Sequence, residues 1–441
     1  MHDSTMPAHD LKQRILAFSD TLSRGLSRPT RKFVRDMLFG ILTSGSVQLA
    51  SIARALKESV DLKKSCERLA RNLTDLSNRE HLQLMAFLAT SLRKQVDPST
   101  PILLDHTDII KPGARKMEGL GYVWDGSRGV ADTKGYAICE AVVHSVASDT
   151  PTPVYTDLYS YREKRFLSVN RSLYDAVEFL HACYGTQGIY TMDRGMDDAK
   201  LFRFLHDRRL AFSIRLVGTR HVINAKGETL SARDLAARYK GNRTYEFTSR
   251  NGKLRRIDYS AVPITIPALP DIPFLLLVVR NYSYKPLLLL ANPASAKDPR
   301  SPLDFILAYI ARWKIEEVFR YRKVSARLEA IQVRSLKRIR TLNLFAMLAA
   351  AFAATLARAD AHRALRDVLF GFSKRERERK ARFLLYALAH AIRRLLGALK
   401  DGIRYLMPIA IRKQRFQQLE FPQVRLMSAF QCCCRRSVSG Y

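Results

Sequence analysis

The chain is short of acid, tryptophan and usable cysteine pairs. Asp+Glu total 41 against Lys+Arg 74, a formal charge of +33. Solubility needs far less, so a polyanionic partner is expected, with nucleic acid ahead of an anionic membrane. The six cysteines (Cys66, Cys139, Cys183, Cys432, Cys433, Cys434) contain no C-x-x-C pair and no Cys/His ligand spacing, which excludes a zinc ribbon or disulfide framework and leaves reduced thiols. Only Trp124 and Trp313 are tryptophans. The polar start MHDSTMPAHD lacks the basic and apolar regions of a secretory signal. The longest apolar stretch, Leu344 to Ala357, falls short of the ~20 residues a bilayer requires and reads as a buried core helix. A cytoplasmic protein is the resulting expectation.

What is present is a folded chain. Its 441 residues and 47% hydrophobic content are enough for two or three domains with a sizeable core. Residues 11 to 98 carry apolar positions at three- and four-residue spacing, so residues 1–98 read as a helical N-terminal DNA-binding domain. Within it, Gly45 to Leu56 followed by residues 62 to 73 has the layout of two short helices and a turn, which suits either a helix-turn-helix DNA binder or an ordinary helical bundle with solvated Lys/Arg. Pro98 and Pro101 then break the helical run. Residues 102–109, 136–146 and 152–159 read as strands, followed by a helix near Ser172 to Tyr184, a strand Ile189 to Asp193, a helix near Asp198 to Arg208 and a strand Ala211 to Val217. The order βββαβαβ predicts an α/β fold with a mixed sheet and helices on its faces.

Residues 218 to 300 read as an all-β insertion, with strands at Tyr245–Thr248, Arg255–Val262, Phe274–Val279 and Leu287–Leu290. A helix then begins near Pro302, with Asp304 suited to its N-terminus. Residues 301–357 would complete the core whose first part is 99–217. The basic helical stretch 358–441, with 14 Lys/Arg against 4 acids between 363 and 413, would be a C-terminal region suited to dimer contact.

The chemistry lies in three carboxylates. Asp105 follows Ile102-Leu103-Leu104 and closes the first strand; Asp193 follows Ile189-Tyr190-Thr191-Met192 and closes the fourth. Such strand ends are where open α/β sheets build sites. The third lies in YIARWKIEEVFRYRK, where Tyr309, Arg312, Glu316 and Lys323 fall at roughly 0°, 300°, 340° and 320° on a helical wheel, one stripe with an acid among cations. Glu317 points elsewhere on that wheel. The competing reading is a solvated face laced with i,i+4 ion pairs. Three carboxylates in one cleft repel unless cations neutralise them, and an all-oxygen donor set favours Mg²⁺ or Mn²⁺ over Zn²⁺.

Those residues carry a resemblance. Tyr309, Arg312, Glu316 and Lys323 are similar to the Y-x2-R-x3-E-x6-K signature of DDE transposases of the fourth insertion-sequence family, a bacterial cut-and-paste group with an RNase H-like core. Asp105-His106-Thr107 resembles its D-x-T block and Asp193-Arg194-Gly195-Met196-Asp197 its D-R-x-x-D block, although His106 and Asp108 depart from the small or hydroxylated residues usual there. The resemblance spans roughly residues 100 to 345. It implies that Asp105, Asp193 and Glu316 are a catalytic triad holding two Mg²⁺ or Mn²⁺ ions, and that Tyr309, Arg312, Lys323 and Arg194 contact DNA. Phosphodiester hydrolysis at terminal inverted repeats and 3′-OH strand transfer into target DNA would follow, by a homodimer assembled on double-stranded DNA. Members can stack a flipped base on an aromatic of the insertion; no tryptophan occurs there in this chain, and Tyr282 and Tyr284 read either as substitutes or, more plainly, as core or surface tyrosines. Alternatives are a non-cleaving DNA-binding regulator derived from a transposase and an RNase H-like structure-specific nuclease.

Overall fold

A computed structural model describes residues 5–125, 129–164, 166–248, 254–293, 298–358, 363–372 and 384–403. The helical start is α1 (Thr5–Leu22), α2 (Arg28–Ser44), α3 (Leu49–Leu56), α4 (Leu62–Asp75) and α5 (Asn78–Ser91). Side chains define its joints. Ser27 caps α2 ahead of Pro29, Asp61 caps α4, and Ser77 with Glu80 forms a reciprocal capping box on α5. The two short helices and turn read from the sequence correspond in position to α3 and α4.

The strands follow as β1 (Pro101–Ile110), β2 (Gly121–Asp125), β3 (Val130–Ser145) and β4 (Thr150–Tyr159). Next come α6 (Val169–Tyr184), β5 (Ile189–Met192), α7 (Ala199–Asp207) and β6 (Ala211–Arg215). In the sheet β4 pairs β3, β3 pairs β1 antiparallel, and β1, β5 and β6 run parallel. This spatial order, an antiparallel meander joined through its first strand to two parallel crossovers, is that of an RNase H-like core, as expected. β2 was not anticipated.

The insertion supplies β7 (His221–Asn224), β8 (Thr229–Ser231), α8 (Ala232–Ala237), β9 (Arg243–Thr248), β10 (Leu254–Ile266), β11 (Leu269–Arg280) and β12 (Leu287–Asn292). It is not purely β, since Ser231 caps the short helix α8. Nor is it a separate layer. β12 pairs antiparallel with β6, and β11 and β10 continue outward, so the described strands form one twelve-stranded sheet.

The chain returns to the core through α9 (Pro302–Ala311) and α10 (Lys314–Arg320), then a π-helical turn Tyr321–Ser325, then α11 (Leu336–Arg358), α12 (Arg363–Phe372) and α13 (Leu384–Gly397). Ser301 and Asp304 cap α9 reciprocally and Pro302 occupies its first turn, as the sequence predicts. Arg300 holds that entrance, donating to the Gly188 carbonyl at 2.8 Å and the Pro98 carbonyl at 3.1 Å. The inner face of α9 (Phe305, Ile306, Ala308, Tyr309) packs on Ile189, Ala211, Leu277, Leu289 and Ala291, fixing the helix over the parallel strands. α11 is long and apolar enough to cross a membrane by composition, but 89% of its apolar window is buried inside the protein. It is the core helix expected. Residues 374 to 382 and the three cysteines 432–434 lie outside the described residues.

Candidate active site

Parallel register builds the site. β1 pairs β5 with Leu103 level with Thr191, so two residues further on Asp105 comes level with Asp193, just past the end of β5. β5 pairs β6 with Met192 level with Ile214, which brings Arg215 level with Asp193. Asp105 does not close its strand. β1 runs on to Ile110, paired with β3, and Asp105 sits where the parallel half of the pairing stops. The carboxylate is therefore held by a continuous strand rather than by a turn.

α9 and α10 bring the other groups. The Tyr309 hydroxyl donates to Asp193 Oδ1 at 2.9 Å. Arg312 Nη1 donates to Asp105 Oδ2 at 2.9 Å, and its Nη2 lies 3.9 Å from Asp193 Oδ2. One guanidinium thus bridges two carboxylates from adjacent strands. Arg215 adds a weaker contact, Nη1 to Asp193 Oδ1 at 3.7 Å. Sequence reading missed Arg215, although a cation ending the strand after an aspartate-ended strand is a signal that could have found it.

The two aspartates are poised differently. Burial pushes Asp105 up to about 6, and Arg312 and the His106 backbone N–H only partly offset this; Asp193 and Glu316 raise it further by repulsion. Burial also acts on Asp193, but the Arg194 backbone N–H, Arg312, the Tyr309 hydroxyl and Arg215 outweigh it and hold that carboxyl below its usual range. Burial, then Asp193, drives the Tyr309 phenol up to about 12, so it stays protonated and a donor.

The expected uniform helical stripe is not what forms. Arg312 N–H bonds to Tyr309 O, Ile315 N–H to Arg312 O and Glu316 N–H to Trp313 O, all three-residue spacings. This tightening separates α9 from α10, and the π turn then loosens the winding after Arg320. Glu316 is exposed at the first turn of α10. Lys323, inside the π turn, lies 3.7 Å from Glu329 Oε1 rather than among the carboxylates. Arg194 is exposed in the turn after Asp193. Glu317 does point away, buried and accepting from the Leu385 N–H at 2.9 Å. Tyr282 packs on the core cluster, while Tyr284 is fully exposed between β11 and β12.

Among the described residues no group of three or more His, Cys, Asp or Glu is gathered as a metal cluster. Asp105 and Asp193 nevertheless fit a hard cation. They already share one in Arg312, and their donors are all oxygen.

The site is thus a pair of carboxylates carried level on adjacent parallel strands of an RNase H-like sheet, bridged by an arginine from the helix above. The family model described as "Transposase DDE domain" matches residues 172–352. Residues 172–352 are thus similar to a transposase DDE domain, and the match includes Asp193, Tyr309, Arg312, Glu316 and Lys323. A solved structure, a piggyBac transposase synaptic complex with hairpin DNA, is 12% identical with a TM-score of 0.41, covering 92% of this chain and 84% of that chain. No curated protein sequence matches.

Proposed function

We propose that the protein is the DNA transposase of an insertion sequence of the fourth family, cutting at terminal inverted repeats and joining the freed 3′-OH to target DNA. The observation that carries this is the level pair Asp105 and Asp193 bridged by Arg312 beneath α9 and α10. Asp105, Asp193 and Glu316 are the residues that would hold Mg²⁺ or Mn²⁺, in a pair. When bound, such ions activate a water or 3′-hydroxyl on one side of a phosphodiester and stabilise the leaving oxygen on the other.

The chain's own groups do the rest. Arg312 carries the charge that orients a scissile phosphate, and a guanidinium that already reaches two anionic groups can grip a phosphate in the same forked way. The Tyr309 hydroxyl donates to Asp193 and fixes its carboxylate plane. Lys323, which pairs with Glu329, and Arg194, whose side chain is exposed in the turn after Asp193, would follow the DNA backbone away from the cut. A homodimer would coordinate the two ends.

The test incubates purified protein with inverted-repeat duplex and Mg²⁺ or Mn²⁺, resolving nicked and strand-transferred products. Asp105→Asn, Asp193→Asn and Glu316→Ala are each expected to lower cleavage by about a thousandfold or more while leaving DNA retention intact. Wild-type rates from Glu316→Ala would remove that residue from the mechanism. Nicking without joined product would favour a nuclease, and retention without any nicking would favour a regulator.

A further inference from the structure

Beyond the parallel strands, the sheet narrows to a two-stranded ribbon. β1 stops its pairing at Ile110 opposite Gly135, and β4 ends its pairing at Tyr159 opposite Ala137. From Lys134 back to Val130, β2 is the one strand among those described that β3 pairs with. Gly135 is where the layers converge, and a Cβ there would run into the Ile109 carbonyl, so the ribbon leaves the core through a glycine.

The ribbon's surface is unusual for a solvated edge. Val123 is 2% exposed, whereas Tyr122 and Trp124 on either side of it are 52% and 56% exposed. Both aromatics stand on one face of a strand whose other face is buried. Tyr122 is level with Lys134, six places along β3 from Glu140, the partner of Asp105. An even step along an unbroken register keeps Tyr122 on the sheet face of Asp105. Cations border the pair. Arg162 lies 5.7 Å from the Tyr122 ring, and Arg115, Lys116 and Lys164 are exposed in the adjoining loops.

We infer that the β2–β3 ribbon is a DNA-reading arm: Tyr122 and Trp124 enter the major groove of the duplex flanking the cut, and the bordering cations hold its phosphates. A two-stranded ribbon has the width that groove admits, and aromatic side chains make the apolar contacts to thymine methyl groups there. At about 3.4 Å per residue, six to eight residues place the aromatics about 20 to 27 Å from the carboxylates, or about six to eight base pairs along B-DNA. The inference rests on the proposal that this chain acts on duplex DNA, and assigns the arm a contact site outside the cleavage centre.

The experiment exploits the tryptophan count. In Trp313→Phe, Trp124 is the sole indole. This protein is titrated with a mixed-sequence linear duplex at low salt, following emission and gel mobility together, alongside the Tyr122→Ala/Trp124→Ala double variant made in the native chain. Expected are quenching of Trp124 in step with the mobility shift, and about five- to tenfold weaker binding by the double variant. A mobility shift with unchanged emission, and equal binding by the double variant, would overturn the arm while leaving DNA action standing. Absence of any shift in every form would overturn both. An emission change on dilution without DNA, lost in the double variant, would assign the face to a second copy and overturn the inference.

Discussion

Arg312 sets the charge balance of the centre. Its guanidinium is the nearest cation to Asp105 and the second salt link of Asp193. Removing it takes the guanidinium from a desolvated carboxylate already pushed up to about 6 and leaves the His106 backbone N–H to offset its repulsion from Asp193. Arg312→Gln is therefore expected to lower stability by about 2–4 kcal/mol in chelator at neutral pH. Adding Mn²⁺ should recover more of that loss in the variant than it adds to the native protein, because a ligand that binds only the folded state stabilises it. Urea unfolding with and without metal measures both quantities; equal metal effects in the two proteins would mean that Arg312 and the ion do not share the carboxylates. Tyr309→Phe is a milder change, since the ring stays packed and only the bond to Asp193 goes. It should cost about 1 kcal/mol in the same assay.

At the scale of elements, the helix that carries Glu316 is fixed by a charge pair that composition hides. Arg322, in the π turn after α10, is 1% exposed and bonds Glu140 of β3, itself fully buried, together with Asn343 of α11. Asn343 closes the set by donating to Thr156 of β4 at 2.9 Å. Because Glu140 lies level with Asp105, this network sets the height of the α10 segment over the first aspartate. Glu140→Gln or Arg322→Met alone should destabilise by about 3–5 kcal/mol, whereas replacing both with apolar residues of similar volume should cost much less, as a double-mutant cycle in urea would show. The partners are 182 residues apart, and an arginine inside a charge-rich run reads as solvated surface, so sequence pattern had no means of pairing them. By contrast Asp105 and Asp193 were legible because each follows an apolar run, and α9 because Pro302 and Asp304 announce its first turn. The tightening near Arg312 and the π turn were not, because periodicity assumes one winding throughout. β2 escaped notice for a related reason: GYVWD is five residues whose identity as a strand depends on β3 beside it. The short pieces β7, β8 and α8 depend likewise on β10 and on each other.

Across the whole molecule, the helical N-terminal region and the sheet meet at α11, and the joint is sensitive to acid. His81 of α5 contacts Thr341 Oγ1 of α11 at 3.1 Å, and burial, with Lys337 nearby, lowers its pKa to about 4. The unfolded chain binds a proton at about 6.5, so it binds more protons than the native state between the two values, and stability must fall as pH drops through that window. His81→Gln should remove up to ~3 kcal/mol of this acid-side slope, read from urea midpoints at a series of pH values. The charge of +33 acts on the same scale but through salt. DNA affinity built on phosphate neutralisation should fall linearly with log salt, and each cation removed from the contact should reduce that slope by about one. Applied to Arg162→Ala and Lys164→Ala beside the ribbon and to Lys323→Ala in the π turn, the slopes separate cations that touch the duplex from cations that only contribute to net charge. A slope unchanged in all three would mean that the duplex follows neither the ribbon nor the glutamate helix, and that the binding face lies among the helices of the N-terminal region instead.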